Sequence, residues 1–412
     1  MANSQHFRSS GEQQGALEVK QLSFWEGVAL IVGTTIGAGI LSMAYASRKA
    51  GYMPLLFWLV LVGFISTLSM LYVAECTLRS NSNHQLSGLA RCYLGKFGSW
   101  AIFCAVVVNT MGALTAYTSS SGQILSQLLG TSSTVGSLIF FVPALTILYL
   151  GLKALGRAEK AIAFCMTVMI LTLVIASLLH VEPQIQRLLE GDWKYMIPIF
   201  NVVVFSFQAQ FIVPELARGF HHRPQLLVPS IITGMALTFI ILSLMPLSII
   251  LLTGLEGISE VATLSWGKAL GLWAFYTANI FALCAMMTSY WGLAGSCLTN
   301  VFDKFNIGSE RNWKTRSVVL LLIGCIPLII SLRGAVGFVN ALYFSGVISG
   351  FLFALLPILL LRKARLETHV TPVWHCSPWM FSPLLQISII FAYGASVLYA
   401  IMSIFDWLPG GW

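Results

Sequence analysis

Long apolar runs divide this chain, and most must cross a bilayer as helix. Eleven are present, over residues 24–47, 54–78, 98–128, 135–152, 158–180, 195–217, 226–253, 266–300, 316–332, 335–361 and 380–404. A hydrocarbon core about 30 Å thick takes about 20 helical residues. Lipid offers no partner to a backbone N–H or C=O, and a helix satisfies both internally. Strand barrels are excluded, because their spans are about ten residues long and alternate in polarity. The third and eighth runs exceed one span and are expected to tilt or protrude. Charged residues make up 9% of the chain and hydrophobic residues 57%. A soluble domain carries about 25% charge. A soluble enzyme, a nucleic-acid binder and a disordered chain are thereby excluded.

Basic residues set the expected topology. With the N-terminus in the cytoplasm, 17 of the 23 Lys and Arg fall on the cytoplasmic side and 6 outside. That is a positive-inside bias, and it accounts for the net charge of +8 without a nucleic acid. Eleven spans put the C-terminus outside. The expected location is the inner (plasma) membrane. Residues 1–22 are polar, lack the features of a signal peptide, and read as a cytoplasmic tail. Residues 23–412 read as one transmembrane domain. The segment 84–95 is amphipathic and reads equally as a short surface helix or a loop. The eight cysteines show neither CxxC nor Cys/His pairing at zinc spacing. They read as apolar fillers, with no metal and no cofactor expected.

Two runs are interrupted where a helix should be continuous. In the first, Gly33-Thr34-Thr35-Ile36-Gly37-Ala38-Gly39 weakens the helix at mid-span. The Gly33/Gly37 spacing serves helix packing equally well. In the sixth, Phe205-Ser206-Phe207-Gln208-Ala209-Gln210 precedes Pro214 and Glu215. Glutamines at that depth must face protein or water, or bridge helices. Pro214 cannot donate, so a carbonyl near Gln210 is expected to be free. The two runs are five spans apart, and an odd shift inverts the second unit. Two inverted five-span units, about 24–180 and 195–361, each opening with an interrupted helix, are the pattern of an inverted-repeat secondary transporter. A last helix follows over about 380–404.

The stretch GTTIGAGILSMAYASRKAG resembles the first-helix motif of amino acid permeases in the amino acid/polyamine/organocation superfamily. With IPIFNVVVFSFQAQFIVPELARG and MTSYWGLAGSCLTNVFD, it most resembles the hydroxy- and aromatic amino acid permeases, the bacterial tyrosine and tryptophan carriers. Eukaryotic sodium-coupled neutral amino acid carriers have similar first and sixth helices. The chain departs from the family in Leu41-Ser42-Met43-Ala44, where a proline is usual, and in Gln208-Ala209-Gln210, where Gly-Phe-His is common. The second departure lies where substrate would sit.

The resemblance implies an all-α membrane protein of leucine-transporter type, a five-plus-five inverted repeat with an eleventh helix and discontinuous helices 1 and 6. It implies that Gly37, Ala38 and Gly39 present backbone N–H groups to a substrate carboxylate at a half-helix N-terminus. The substrate ammonium would meet carbonyls of Thr35, Phe205 and Ser206. Phe207 would close over the substrate, and Gln208 would touch its side chain. Ala285, Thr288 and Ser289 share one helix face. With the carbonyls of Gly33 and Ile36 they resemble a sodium site. Back-bonding of Thr288 and Ser289 to their own helix is the alternative. Gly63, in the second run, is expected to tolerate a methyl.

Among ionisable residues, Glu215 reads as a coupling or gating group, and Glu26 and Glu75 as salt bridges or gates. His221-His222 and Arg333 read as solvated. Asn109, Tyr117, Asn279 and Asn340 either line the path or link helices. Together these features point to a cation-coupled importer of an amino acid, tyrosine or tryptophan above a small neutral one, driven by H+ or Na+. No protein partner is evident. An intramembrane enzyme would need paired carboxylates, a nucleophile–base dyad or HExxH within spans. A channel or nutrient receptor would not concentrate solute.

Overall fold

The computed structural model describes residues 21–80, 84–150, 152–180, 185–259, 261–307, 312–335, 337–367, 371–405 and 407. Most of the expected tail lies outside the described residues. The first run is two helices, α1 (Phe24–Thr35) and α2 (Gly37–Ala46), bent by 45°. A capping box starts α1, with the Ser23 N–H donating to Glu26 Oε2 at 2.8 Å. Glu26 therefore caps a helix, the role that the Ser23-x-x-Glu26 spacing before an apolar run encodes.

Next come α3 (Tyr52–Arg79), α4 (Leu86–Leu129), α5 (Ser133–Leu150) and α6 (Leu152–His180). Within α4, Gly95 takes φ 69° and ψ −161°, a conformation that favours glycine. The chain turns there, so the amphipathic 84–95 segment is a short helix leading into the span. The sixth run is α7 (Met196–Ser206), a 3₁₀ turn at Gln210–Ile212 and α8 (Val213–Gly219). Then follow α9 (Leu227–Thr253), α10 (Ala262–Leu270), α11 (Leu272–Phe305), α12 (Trp313–Leu332), α13 (Phe338–Glu367) and α14 (Pro383–Ile404). The eighth run does not simply tilt or protrude. Gly271, at φ 91°, separates its first residues into α10.

By length and composition, nine helical segments, one of them the interrupted α7–α8 unit, and the bent α1–α2 pair can cross a membrane among the described residues. The remaining run is α6, with Phe164–His180 as its apolar part. Arg316 Nη2 donates to the Leu148 carbonyl at 2.9 Å, tying the end of α5 to the start of α12. Near the end of α6, Ser177 Oγ accepts from Trp266 Nε1 of α10 at 2.9 Å. The first face also holds Leu22 N–H on the Gly219 carbonyl at 3.0 Å. The second holds Asp192 N–H on the Lys49 carbonyl at 3.1 Å and Arg187 Nη1 on the Leu251 carbonyl at 2.6 Å. Each contact joins segments that the alternation of spans puts on one side.

Helices at the centre and the rim differ in what they bury. The apolar window of Trp193–Gly219 is 83% buried, and those of α12 and α14 only 28%. Val318, Leu322 and Ile326 of α12 and Leu384, Ile387 and Phe391 of α14 are exposed, as apolar side chains facing lipid would be. The interrupted α7–α8 unit is thus central, as a binding site requires.

Two ion pairs hold the first face. Glu75, fully buried at the end of α3, accepts from Arg365 Nε at 2.9 Å and Nη2 at 2.7 Å. Arg79 Nε donates to it at 2.9 Å and the Cys376 N–H at 2.8 Å. The carboxylate joins α3, α13 and the segment before α14. At the start of α4, Asp303 Oδ2 accepts from the Gln85 N–H at 3.0 Å, and Oδ1 lies 3.4 Å from His84 Nδ1. The Asp303 carboxylate raises the His84 imidazole to about 10.

Candidate functional site

The first break has a local cause. Thr34 Oγ1 donates to the Leu30 carbonyl at 2.7 Å and Thr35 Oγ1 to the Ile31 carbonyl at 2.8 Å, four residues back in each case. Such back-bonding loosens a helix end. Ile36 N–H closes α1 on the Val32 carbonyl at 2.9 Å, and α2 begins at Gly37 with no side chain capping its first N–H groups. The Gly33 carbonyl accepts from Ser289 Oγ of α11 at 2.6 Å. One predicted cation-site hydroxyl therefore reaches one predicted carbonyl. Thr288 does not join it: its Oγ1 donates to the Cys284 and Ala285 carbonyls, both at 3.1 Å. Ala285 and Ile36 are buried, and the Ala285 carbonyl is occupied by Thr288.

At the second break, the Phe207 N–H is shared between the Val203 and Val204 carbonyls, both at 3.2 Å. The Gln208 N–H takes the Phe205 carbonyl at 3.2 Å. The carbonyl expected free at Gln210 is not: the Val213 N–H occupies it by closing a 3₁₀ turn. Pro214 sits in the first turn of α8, where its missing N–H costs nothing.

The breaks meet. A Cβ placed on Gly39 would collide with Ser206 Oγ and stand 3.2 Å from the Ser206 Cα. A Cβ on Gly37 would collide with the Tyr117 hydroxyl and stand 2.7 Å from Ser289 Oγ. Only glycine allows these approaches. The start of α2 is thus enclosed by Ser206 of α7, Tyr117 of α4 and Ser289 of α11. Gly33 differs, since a methyl added there would meet open space out to 4 Å. The packing reading of Gly33/Gly37 therefore applies to Gly37 alone.

Other expected residues take different places. Thr35 Oγ1 pairs with Thr238 Oγ1 of α9 at 2.8 Å, linking helices by its side chain. Ser206 Oγ donates to the Val202 carbonyl at 2.9 Å. The Phe207 ring is fully buried, and a methyl on Gly63 of α3 would stand 3.1 Å from it. Gly63 is therefore a tight contact of the broken helix, against the expectation that it tolerates a methyl. Glu75 is saturated by Arg365, Arg79 and Cys376, which makes it the salt bridge of its two expected roles. Glu215, in α8, is half-buried, with Arg218 of the same helix as its nearby charge. Asn279 links α10 to α11 through Thr263 Oγ1 at 3.2 Å. His221, His222, Arg333 and Asn340 are exposed.

Sequence reasoning missed the contribution of α13. Ser345 and Ser349 contact Asn109 of α4, and Ser349 contacts Gln208. Their i, i+4 spacing in an apolar run was the available signal.

The tryptophan/tyrosine permease family model matches residues 20–396. The chain belongs to this family. The tyrosine-specific transport system 1 of Haemophilus influenzae is 28% identical, over 82% of this permease and 87% of that protein. A tryptophan-specific transport protein of the same organism is 24% identical, over 85% of the permease and 89% of the relative. Among solved structures, MhsT in complex with L-phenylalanine superposes with a TM-score of 0.67 at 15% identity, covering 94% of the permease and all of that chain. That likeness shows the fold, the leucine-transporter type expected from the sequence. The permease is accordingly a multi-pass membrane transporter of amino acids and not an enzyme.

Proposed function

We propose that this permease imports an aromatic amino acid, tyrosine or tryptophan, across the inner membrane by proton symport with alternating access. One observation carries the reading. The two broken helices touch at Gly39 and Ser206, where α2 offers uncapped N–H groups. A substrate carboxylate is stabilised at such a helix start. The ammonium is met by the carbonyl-rich ends at Thr35, Phe205 and Ser206. A zwitterion needs no ionised side chain there, and these two breaks contain none. The tyrosine and tryptophan specificities of the relatives support an aromatic cargo. Glu215 is the candidate proton carrier, because it is a half-buried carboxylate just past the second break, with Arg218 of the same helix as its nearby charge.

A second reading, sodium coupling, is favoured by the Ser289 hydroxyl on the Gly33 carbonyl. Purified permease in vesicles, given labelled tyrosine, tryptophan, serine and glutamine under separately imposed proton and sodium gradients, decides between them. Proton coupling predicts uptake driven by pH alone and lost in Glu215→Gln. Sodium coupling predicts that Ser289→Ala weakens the ion by about tenfold to a hundredfold, from about 1.5–3 kcal/mol per contact to a charged group. Substrate affinity must then fall at fixed sodium, because coupling is reciprocal. Thr288→Ala, whose hydroxyl is engaged within its own helix, should do less. Uptake that neither gradient drives makes the protein a facilitator.

The same proposal puts the N-terminus in the cytoplasm and Trp412 outside. A single cysteine at residue 311 should be labelled only from the cytoplasmic side, and one at residue 412 only from outside. Both positions lie outside the described residues. Labelling of both from one side removes the eleven-span topology and the inverted repeat with it.

A further inference from the structure

We infer that the permease carries a site for the phosphate of an anionic phospholipid head group, between the ends of α3 and α13 and the segment before α14. Only the leaflet that supplies the lipid rests on the topology proposed above, which makes it the cytoplasmic one. An open hollow of about 520 Å³ is lined there by Arg79, Arg365, His375, Cys376, Pro378 and Phe381. None of these residues belongs to either break. At about 30 Å³ per molecule of liquid water, the hollow has room for a hydrated head group rather than for one bare ion.

The lining has basic side chains and no carboxylate. Glu75 stands behind it, fully buried, and accepts from Arg365 Nε and Nη2 and from Arg79 Nε. The Arg365 side chain keeps 28% of its surface exposed. The buried carboxylate therefore fixes the guanidiniums from the inner side and leaves the outer side to the hollow. The Phe381 ring centroid lies 4.6 Å from the Arg365 guanidinium carbon. A planar guanidinium stacked on a ring presents its N–H groups at the edge, which is how phosphate is bound. Charge agrees. Arg79, Arg362, Lys363 and Arg365 at these helix ends outnumber the carboxylates Glu75 and Glu367, and residues 368–382 add no acid.

The neighbouring surface assigns the phosphate to a lipid. Trp379, next to Pro378 of the lining, is 57% exposed and stacks on Phe64 of α3, itself exposed, with ring centroids 6.5 Å apart. Phe64 precedes Glu75 by eleven residues of α3, about 16 Å toward mid-span at 1.5 Å per residue. An apolar strip thus leads from the hollow into the hydrocarbon, where acyl chains lie. Tryptophan is favoured at such a boundary. A zwitterionic head group would bring its ammonium against the same guanidiniums, so an anionic one is selected.

Native mass spectrometry of the delipidated full-length permease tests this, with phosphatidylglycerol or phosphatidylcholine of matched chains added back. Phosphatidylglycerol should be retained about tenfold more strongly, or better. His375→Glu sets a carboxylate at the exposed rim without replacing a residue of the Glu75 network, and should abolish the preference. Lys314→Gln removes a positive charge at the start of α12, outside the hollow, and should keep it. Should His375→Glu fail to fold, Arg365→Lys carries the test: it keeps a cation on Glu75, loses the planar fork, and must lower the preference. Equal retention of the two lipids overturns the inference. So does a preference that survives in the folded variant, or one that Lys314→Gln also removes. Inorganic phosphate at the lipid's concentration should not displace phosphatidylglycerol, and equal displacement overturns the lipid assignment in favour of a soluble anion. Amino acid uptake is measured separately, so failure of the transport reading leaves this site in place.

Discussion

Glu75→Gln should destabilise the permease by about 3–5 kcal/mol, the cost of breaking a buried ion pair and leaving its partner charge uncompensated. Glu75 is fully buried and binds Arg365 through two guanidinium nitrogens, as well as Arg79 and the Cys376 N–H. The amide keeps the shape and loses the charge, so two guanidiniums face a neutral group. Thermal unfolding in detergent reads the loss directly. Replacing the whole set with apolar residues removes the desolvation cost as well, and such replacements are often neutral. A Glu75→Gln variant as stable as wild type would show that this carboxylate does not hold α3, α13 and the segment before α14 together.

Gly39→Leu should lower substrate affinity by about a hundredfold or more, equivalent to about 3 kcal/mol. Its Cβ would strike Ser206 Oγ and crowd the Ser206 backbone, so the breaks must separate. Overpacking of this kind costs about 1–3 kcal/mol in stability. Binding should suffer further, because the branched side chain occupies the space assigned to the carboxylate. Two comparisons separate these effects. Gly295→Ala on α11 meets open space and should leave uptake unchanged. Gly39→Ala should lose affinity, and Gly39→Ala with Ser206→Gly should regain part of it. Such non-additivity is expected only of residues in contact. Normal affinity in Gly39→Leu would mean that the meeting of the two breaks is not the binding site.

The chain by itself determined the class of fold. Apolar runs with few charges leave helix as the simplest way to satisfy a backbone in lipid, and the count of basic residues orders the sides. It also located the two breaks, because glycine, back-bonding threonine and proline act within a turn of where they stand. Local signals of this kind do not say which side chain faces which helix. Ser289 and Thr288 are adjacent and chemically alike, yet one reaches Gly33 and the other stays on its own helix. Adjacent residues on a helix point about 100° apart, and only the placement of α1 against α11 selects between them. Gly63 looked peripheral until packing brought the Phe207 ring to it. Glu26 and Glu75 both read as end-of-span carboxylates; the first caps α1, and the second meets two guanidiniums because α13 ends beside α3. Ser345 and Ser349 are ordinary hydroxyls in an apolar run. Tertiary packing of α13 on α4 and on the second break turned them into the partners of Asn109 and Gln208. Those partnerships depend on distances between residues more than a hundred positions apart, which no local pattern in the chain encodes.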